Sequence, residues 1–234
     1  MTQIRHIFTK EFKDYFISPI AYIVISIFLL VTGWFFFTTF FIYDQASLRN
    51  FFALLPVILS FVIPAITMRL FAEEMSVGSY EVLLTLPVTS KDIILGKFFA
   101  AVAFIAAMLV PTILYPVSIS FLGNLDWGPV IGGYIGAILL GAAFSAIGLF
   151  ASALTRNQII AFIIGVAICF ALTIIDKMLF FFPKYILSFL SNLGADFHFK
   201  NVSKGILDSR DIIYFLSVTF IGLYGSYMAL QNKK

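Results

Sequence analysis

Residues 130–154 read Val130-Ile-Gly-Gly-Tyr-Ile-Gly-Ala-Ile-Leu-Leu-Gly-Ala-Ala-Phe-Ser-Ala-Ile-Gly-Leu-Phe-Ala-Ser-Ala-Leu154, without one Asp, Glu, Lys, Arg or His. A bilayer's hydrocarbon core asks for about 20 predominantly apolar residues of helix, and this run meets that requirement. Five other runs share its character: Ile20 to Tyr43, Phe51 to Met68, Phe98 to Leu122, Ile159 to Ile175 and Ile212 to Leu230. None alternates with the period of two that a barrel strand needs, so helices are the expected spanning elements, because a helix satisfies its own backbone groups. The reading is an all-α polytopic membrane protein with six transmembrane helices.

Composition agrees. The chain is 61% hydrophobic and 12% charged, with a mean hydropathy of +1.03, whereas soluble domains carry about 25% charged residues. Lipid must be the solvent for most of this surface. The net charge of +3 is dispersed over loops and termini, so no nucleic-acid partner is inferred. The single cysteine, Cys169, falls inside the fifth run and forms neither an intrachain disulfide nor a metal cage.

Outside the runs, residues 1–19 place Ile4, Ile7, Phe8, Phe12, Tyr15 and Phe16 at helical spacing, with Arg5, Lys10, Lys13 and Asp14 on the remaining surface. This pattern predicts an amphipathic helix in the membrane interface, ended by Ser18-Pro19. The domain division is therefore 1–19 for the interfacial helix and 20–234 for the six-span domain. The first run is too long for a signal-peptide core and lacks a small-residue cleavage site after it, so it is expected to stay as an uncleaved helix. Arg5, Lys10 and Lys13 precede span 1, and Arg69, Lys91 and Lys97 lie between spans 2 and 3. Arg156 follows span 4, and Lys233-Lys234 end the chain. This bias places both termini in the cytoplasm. Residues 176–211 run against it with Lys177, Lys184, Lys200, Lys204 and Arg210, partly balanced by Asp176, Asp196, Asp208 and Asp211. From Pro183, the residues Tyr185, Ile186, Phe189, Leu190 and Leu193 share one face, which predicts a short helix at the outer surface.

Within span 4, Gly133, Ala137, Gly141 and Ser145 recur every four residues, with Gly132 and Gly136 on the adjacent ridge. Small residues so placed admit a second helix closely. Packing within one subunit, a dimer contact and a conduit wall all fit. Pro56, Pro64, Pro111 and Pro116 are expected to bend spans 2 and 3.

The segment between spans 2 and 3 reads Arg69-Leu-Phe-Ala-Glu-Glu-Met-Ser-Val-Gly-Ser-Tyr-Glu-Val-Leu-Leu-Thr-Leu-Pro-Val-Thr-Ser-Lys-Asp92. Arg69 and Glu73 are four apart and able to pair. Gly78 suits a helix stop, Ser79 an N-cap for a short helix through Leu86, and Pro87 its end. Thr89 with Asp92 resembles a capping box opening span 3. The short helix presents Tyr80, Leu83 and Leu84 beside Glu81, apolar knobs and one charge suited to a groove on a soluble partner.

This segment resembles that of the ABC-2 type transporter permeases, which carry a Glu-rich turn, then Gly-Ser/Thr-x-Glu-x-Leu-Leu, then Pro-Val/Ile. Glu73, Glu74, Gly78, Ser79, Glu81, Leu83, Leu84, Pro87 and Val88 match that pattern. The resemblance extends over essentially the whole chain. The stretch His198-Phe199, with Lys204-Gly-Ile-Leu-Asp-Ser-Arg-Asp-Ile-Ile-Tyr-Phe215, is similar to the gliding-motility-associated permeases of bacteria. The resemblance implies an inner-membrane permease, with Ser79 to Leu86 as the coupling helix and residues 1–17 as the connecting helix. It implies a separate ABC-type ATPase subunit that binds ATP and Mg, with no cofactor on this chain. It also implies a second membrane half, a copy or a related permease or auxiliary subunit, around a cargo path, with export as the expected direction.

The residues bear on the same question independently. No Gly-x-x-x-x-Gly-Lys-Ser/Thr phosphate loop occurs, so the chain lacks that route to ATP hydrolysis. A membrane enzyme would need placed nucleophiles, bases or metal ligands. The two histidines, His6 and His198, are expected on opposite sides of the membrane. An ion-coupled transporter usually keeps ionisable groups in its spans, and these run cores have none, although Thr67, Ser118 and Thr173 offer oxygens. A membrane scaffold driven by an ATPase without cargo passage fits the same features.

Overall fold

A computed structural model describes residues 2–43, 47–81, 88–178, 192–206 and 208–232. Its helices are α1 (Thr2–Ile17), α2 (Pro19–Tyr43), α3 (Arg49–Thr67), α4 (Arg69–Val77), α5 (Ser90–Leu109), α6 (Leu114–Ser120), α7 (Trp127–Leu154), α8 (Gln158–Ile174), α9 (Ala195–Ser203) and α10 (Ser209–Gln231), with a 3-10 turn at Val110–Ile113. All regular structure among the described residues is helical. Five helical stretches are long and apolar enough to cross a membrane: Pro19–Phe40, Arg49–Val77, Ser90–Ser120, Trp127–Leu154 and Ser209–Gln231. The remaining run becomes α8, whose 17 residues reach about 26 Å, short of the ~30 Å hydrocarbon core. The expected surface helix from Pro183 lies largely outside the described residues.

Helix starts follow local chemistry. Thr89 and Asp92 form the reciprocal capping box at α5. Asp126 accepts from the Gly128 N–H before α7, Asn157 from the Ile159 N–H before α8, and Asp208 from the Arg210 N–H before α10. Each oxygen satisfies a backbone donor that the helix leaves without a partner. Ser18 interrupts the chain between α1 and α2. At Pro111 the third run passes through the 3-10 turn rather than continuing as α-helix, consistent with the missing proline N–H.

Helix α7 is the centre of the bundle. Its spanning window is 72% buried, against 22% for those of α2 and α10. Helices α3, α5, α8, α9 and α10 all pack on it. In lipid there is no hydrophobic driving force between helices, so the gain comes from close van der Waals approach. Small residues supply it. Gly133 faces the Phe52 ring and Gly141 faces Ile105, while Gly132 abuts the Val202 carbonyl of α9. Ala137 and Ser145 are fully buried. The neighbours of Gly133 and Gly141 thus belong to the same chain. Gly165 on α8 is about as tight as Gly141, with a Cβ there 3.1 Å from Pro64 Cβ and one at Gly141 3.0 Å from Ile105 Cγ2.

The closest backbone approach to α10 is at Gly222, where an added Cβ would stand 2.7 Å from the Ala146 carbonyl carbon. Backbone cannot yield as a side chain does. Gly222→Val is therefore expected to destabilise the purified protein by about 1–3 kcal/mol. At Gly33 the nearest atom is the Tyr115 hydroxyl, at 3.1 Å, the movable end of a side chain, and Gly33→Ala should be close to neutral. Thermal unfolding in one detergent ranks the two, and equal melting temperatures would refute the close-approach account.

Candidate functional site: the charged junction of α1, α4 and α5

At Gly96 of α5, helix α1 comes so near that an added Cβ would lie 2.7 Å from Ile7 Cγ2 and 3.3 Å from the Ile4 carbonyl oxygen. The next residue, Lys97, is buried, with only 1% of its surface exposed. Its ammonium donates to Glu11 Oε1 on α1 at 2.9 Å and to Glu74 Oε1 on α4 at 2.8 Å. It also lies 5.4 Å from the centre of the Phe71 ring. One cation thereby ties three helices together. A buried ammonium is tolerated only with such partners. Two carboxylates against one ammonium leave negative charge in excess, which Lys10 partly offsets from the rim, 3.7 Å from Glu11 Oε1.

Helix α4 is held from the other side by Ser152 of α7. The Ser152 hydroxyl accepts from the Phe71 and Ala72 N–H groups, each at 3.0 Å, and donates to the Met68 carbonyl at 2.6 Å. It thus satisfies two backbone donors of the first turn of α4 and one acceptor at the bend from α3. Beside the junction lies a pocket of about 470 Å³, lined by Lys10, Glu11, Tyr15, Arg69, Glu74 and Lys97 among others. Arg69 sits over the Tyr15 ring, 5.6 Å from its centre, rather than pairing with Glu73 as its spacing suggested. Burial first, and then the field of Glu11, push the Tyr15 hydroxyl well above its ordinary pKa despite Arg69. It stays a neutral phenol.

Beyond α4 the chain turns where the sequence indicated. Gly78 takes the left-handed conformation, φ 80°, which a side chain would resist. Residues 79–81 are helical, and the Glu81 N–H donates to the Gly78 carbonyl at 3.2 Å. The Ser79 hydroxyl donates back to the Glu74 carbonyl at 3.3 Å. Ser79, Glu81 and Glu73 are exposed. Tyr80 differs from expectation. It is 4% exposed, set edge-on against Phe71 at 6.3 Å, so it anchors this segment to its own chain instead of facing outward. Burial raises the Tyr80 hydroxyl pKa, and Glu74 adds to the effect. Leu83, Leu84 and Pro87, with the rest of the expected Ser79–Leu86 helix, lie outside the described residues.

Lys97 and Glu11 escaped the sequence reading. Lys97 counted there only as a loop charge. Glu11 carried a signal, because it continues the apolar spacing of Ile4, Ile7, Phe8 and Tyr15, and a carboxylate on that face demands a partner.

At the opposite end of the bundle, α9 brings the basic segment into order. Lys200 reaches Asp196 at 2.8 Å and Asp176 at 3.1 Å, and Lys177 lies 3.8 Å from Asp196. Burial alone would lower the Lys200 pKa, but the hydrogen bonds it donates to Asp196 and Asp176 outweigh it and raise the value. His198 is clasped between Asp211 Oδ1, 2.6 Å from Nδ1, and the Asn192 carbonyl, 2.9 Å from Nε2. Its ring stacks on Tyr214 at 4.1 Å. A carbonyl only accepts, so Nε2 is the donor in that contact. This is a structural clasp of α9 onto α10.

The family follows from comparison over most of this architecture. A family model described as ABC-2 family transporter protein matches residues 5–203, from the first turn of α1 to the end of α9, and the chain belongs to that family. No curated protein matches it. It is thus a multi-pass permease, the membrane component of an ABC transporter, a class whose ATPase activity typically resides in a partner.

Lys97→Met would leave Glu11 and Glu74 facing each other without their cation. An expected loss of about 3–5 kcal/mol follows from breaking a buried ion pair on one side. Lys10→Met, at the exposed rim, should cost at most about 1 kcal/mol. Denaturant unfolding of both variants in matched micelles distinguishes the two, and similar small losses would show that the junction contributes no special stability.

Proposed function

We propose that this chain is one six-span half of an ATP-driven ABC exporter in a bacterial inner membrane, with both termini cytoplasmic. In this reading α8 is the fifth span, its shortness met by local thinning of the bilayer. The Ser79–Leu86 segment is the coupling helix, and α1 is the connecting helix. A separate ABC-type ATPase binds ATP and Mg and docks on the coupling helix. The second membrane half is another copy or a related permease or auxiliary subunit.

The observation that carries the proposal is the junction at Lys97, set within a chain of this family. Glu74 belongs to the sequence pattern that first pointed to the family, and it shares its cation with α1. The base of the proposed coupling segment is therefore bonded to two other helices. Force applied at residues 79–86 would reach the bundle through α4 without loss in a loose hinge. Tyr80 supports the same reading from the inside of the segment, and the exposed Glu81 presents a charge toward a partner.

The paired charges of residues 176–211 support the orientation. Lys200 and Lys177 face Asp176 and Asp196 at the end of the bundle opposite the junction, so in the folded chain both lysines have counter-charges on that side. The similarity of His198-Phe199 and 204–215 to gliding-associated permeases favours service in such a system.

Mild extraction from native membranes, followed by mass spectrometry of co-purifying chains, tests the proposal. An ABC-type ATPase should accompany the wild-type protein and fall by at least tenfold with Glu81→Lys, while the amount of inserted protein is unchanged. Absence of any ATPase, even after vanadate trapping, would contradict the docking scheme. An ATPase retained in full by Glu81→Lys would remove Glu81 from it.

A further inference from the structure

Between α5 and α10 runs a groove of about 360 Å³, lined by Lys91, Ile94, Leu95, Phe220, Tyr224 and Tyr227 among others. Its walls are almost wholly apolar. Among the described residues its one charged lining residue, Lys91, stands at one end, on the exposed first turn of α5. The Lys91 ammonium lies 5.6 Å from the centre of the Tyr227 ring. The Tyr227 hydroxyl accepts from Gln231 Nε2 at 2.6 Å. Further along, Phe220 and Tyr224 stack at 6.2 Å and are 71% and 52% exposed. From Tyr227 to Phe220 the groove descends seven residues of α10, roughly 10 Å, from the helix end toward mid-membrane.

We propose that this groove binds an anionic phospholipid, with an acyl chain lying along Leu95, Phe220, Leu223 and Tyr224 and the phosphate against Lys91. The division of chemistry along the groove sets the ligand's class. A cation at the end where the spanning helices begin, above an apolar slot, matches a headgroup above its chain. Basic pockets between transmembrane helices recognise anionic headgroups in this way. A second protein helix is a poorer occupant. The apolar runs of a second copy offer Lys91 no counter-charge, and a covered, unpaired ammonium is costly. The neighbouring carboxylate does not supply one either, since Asp92 is engaged with the Thr89 hydroxyl at 2.6 Å and the Thr89 N–H at 3.2 Å. A zwitterionic headgroup brings an extra positive charge to Lys91, so a net negative one is preferred. Tyr224 and Tyr227 sit where aromatic rings favour the boundary between headgroups and chains.

The site is independent of the cargo and of the ATPase. It is tested on the full-length chain, with any subunit that co-purifies, in nanodiscs of phosphatidylcholine containing a minor share of phosphatidylglycerol. Native mass spectrometry counts the lipid retained after release. Wild type should keep phosphatidylglycerol in preference to phosphatidylcholine. Lys91→Gln should lower that retention about fivefold, Lys91→Arg should preserve it, and Lys13→Gln, an exposed lysine on α1, should leave it unchanged. Leu95→Trp fills the slot without altering charge and should also release the lipid. Equal retention of the two lipids by wild type, or unchanged retention in Lys91→Gln, would overturn the proposal. So would unchanged retention in Leu95→Trp, because the headgroup would then be held by surface charge without the groove.

Discussion

A single ammonium group, that of Lys97, determines how the charged end of this protein is built. It is buried, and it bonds to one carboxylate from α1 and one from α4. Desolvating three charges is expensive, and their attraction offsets that cost only if the geometry is held. The surrounding packing holds it. Gly96 lets α1 lie against α5, and Ser152 fixes the start of α4 to α7. Remove the cation, and both α1 and α4 lose their polar attachment to α5 while keeping a buried negative charge. An amphipathic helix suited to lie loose in the interface becomes part of the bundle.

The membrane-embedded half of the molecule solves a different problem. Apolar side chains on α2 and α10, such as Leu30, Trp34, Phe220 and Ile221, remain exposed, as suits surfaces solvated by lipid. Cohesion must then come from contact. Helix α7 provides a surface of glycine, alanine and serine on which larger side chains and backbones seat closely. Charge is kept to the ends. Lys97 and Glu74 lie at one end, and Asp196, His198 and Asp211 at the other. The cores of the apolar runs carry none, in keeping with a permease whose energy enters from another subunit.

Much of this was legible in the sequence. Runs of uncharged residues located the long helices, because hydrocarbon admits little else. Thr89 with Asp92, Gly78 and Ser18-Pro19 marked boundaries, because caps, left-handed turns and proline act through local backbone chemistry. What escaped is tertiary. Arg69 and Glu73 had helical spacing for a pair, yet Arg69 lies over Tyr15 on another helix. Tyr80 reads as an outward knob, yet it is buried edge-on against Phe71. Lys97 meets Glu11 across 86 residues of chain, and Ser152 meets the backbone of Phe71 and Ala72 across about 80, and no local rule brings such residues together. The fifth run met the composition for a span, but the Asn157 cap and the turn after Ile174 hold its helix to 17 residues, the length of the apolar run itself.

Hydrogen exchange on the full-length protein in nanodiscs tests the central claim most directly, that α1 is locked to the bundle through Lys97. The amides of residues 5–16 should exchange as slowly as those at the start of α5, and Lys97→Met should release α1 while α7 stays protected. If α1 exchanges in the wild type as a free surface helix, with α5 still protected, the junction does not hold it and the account fails.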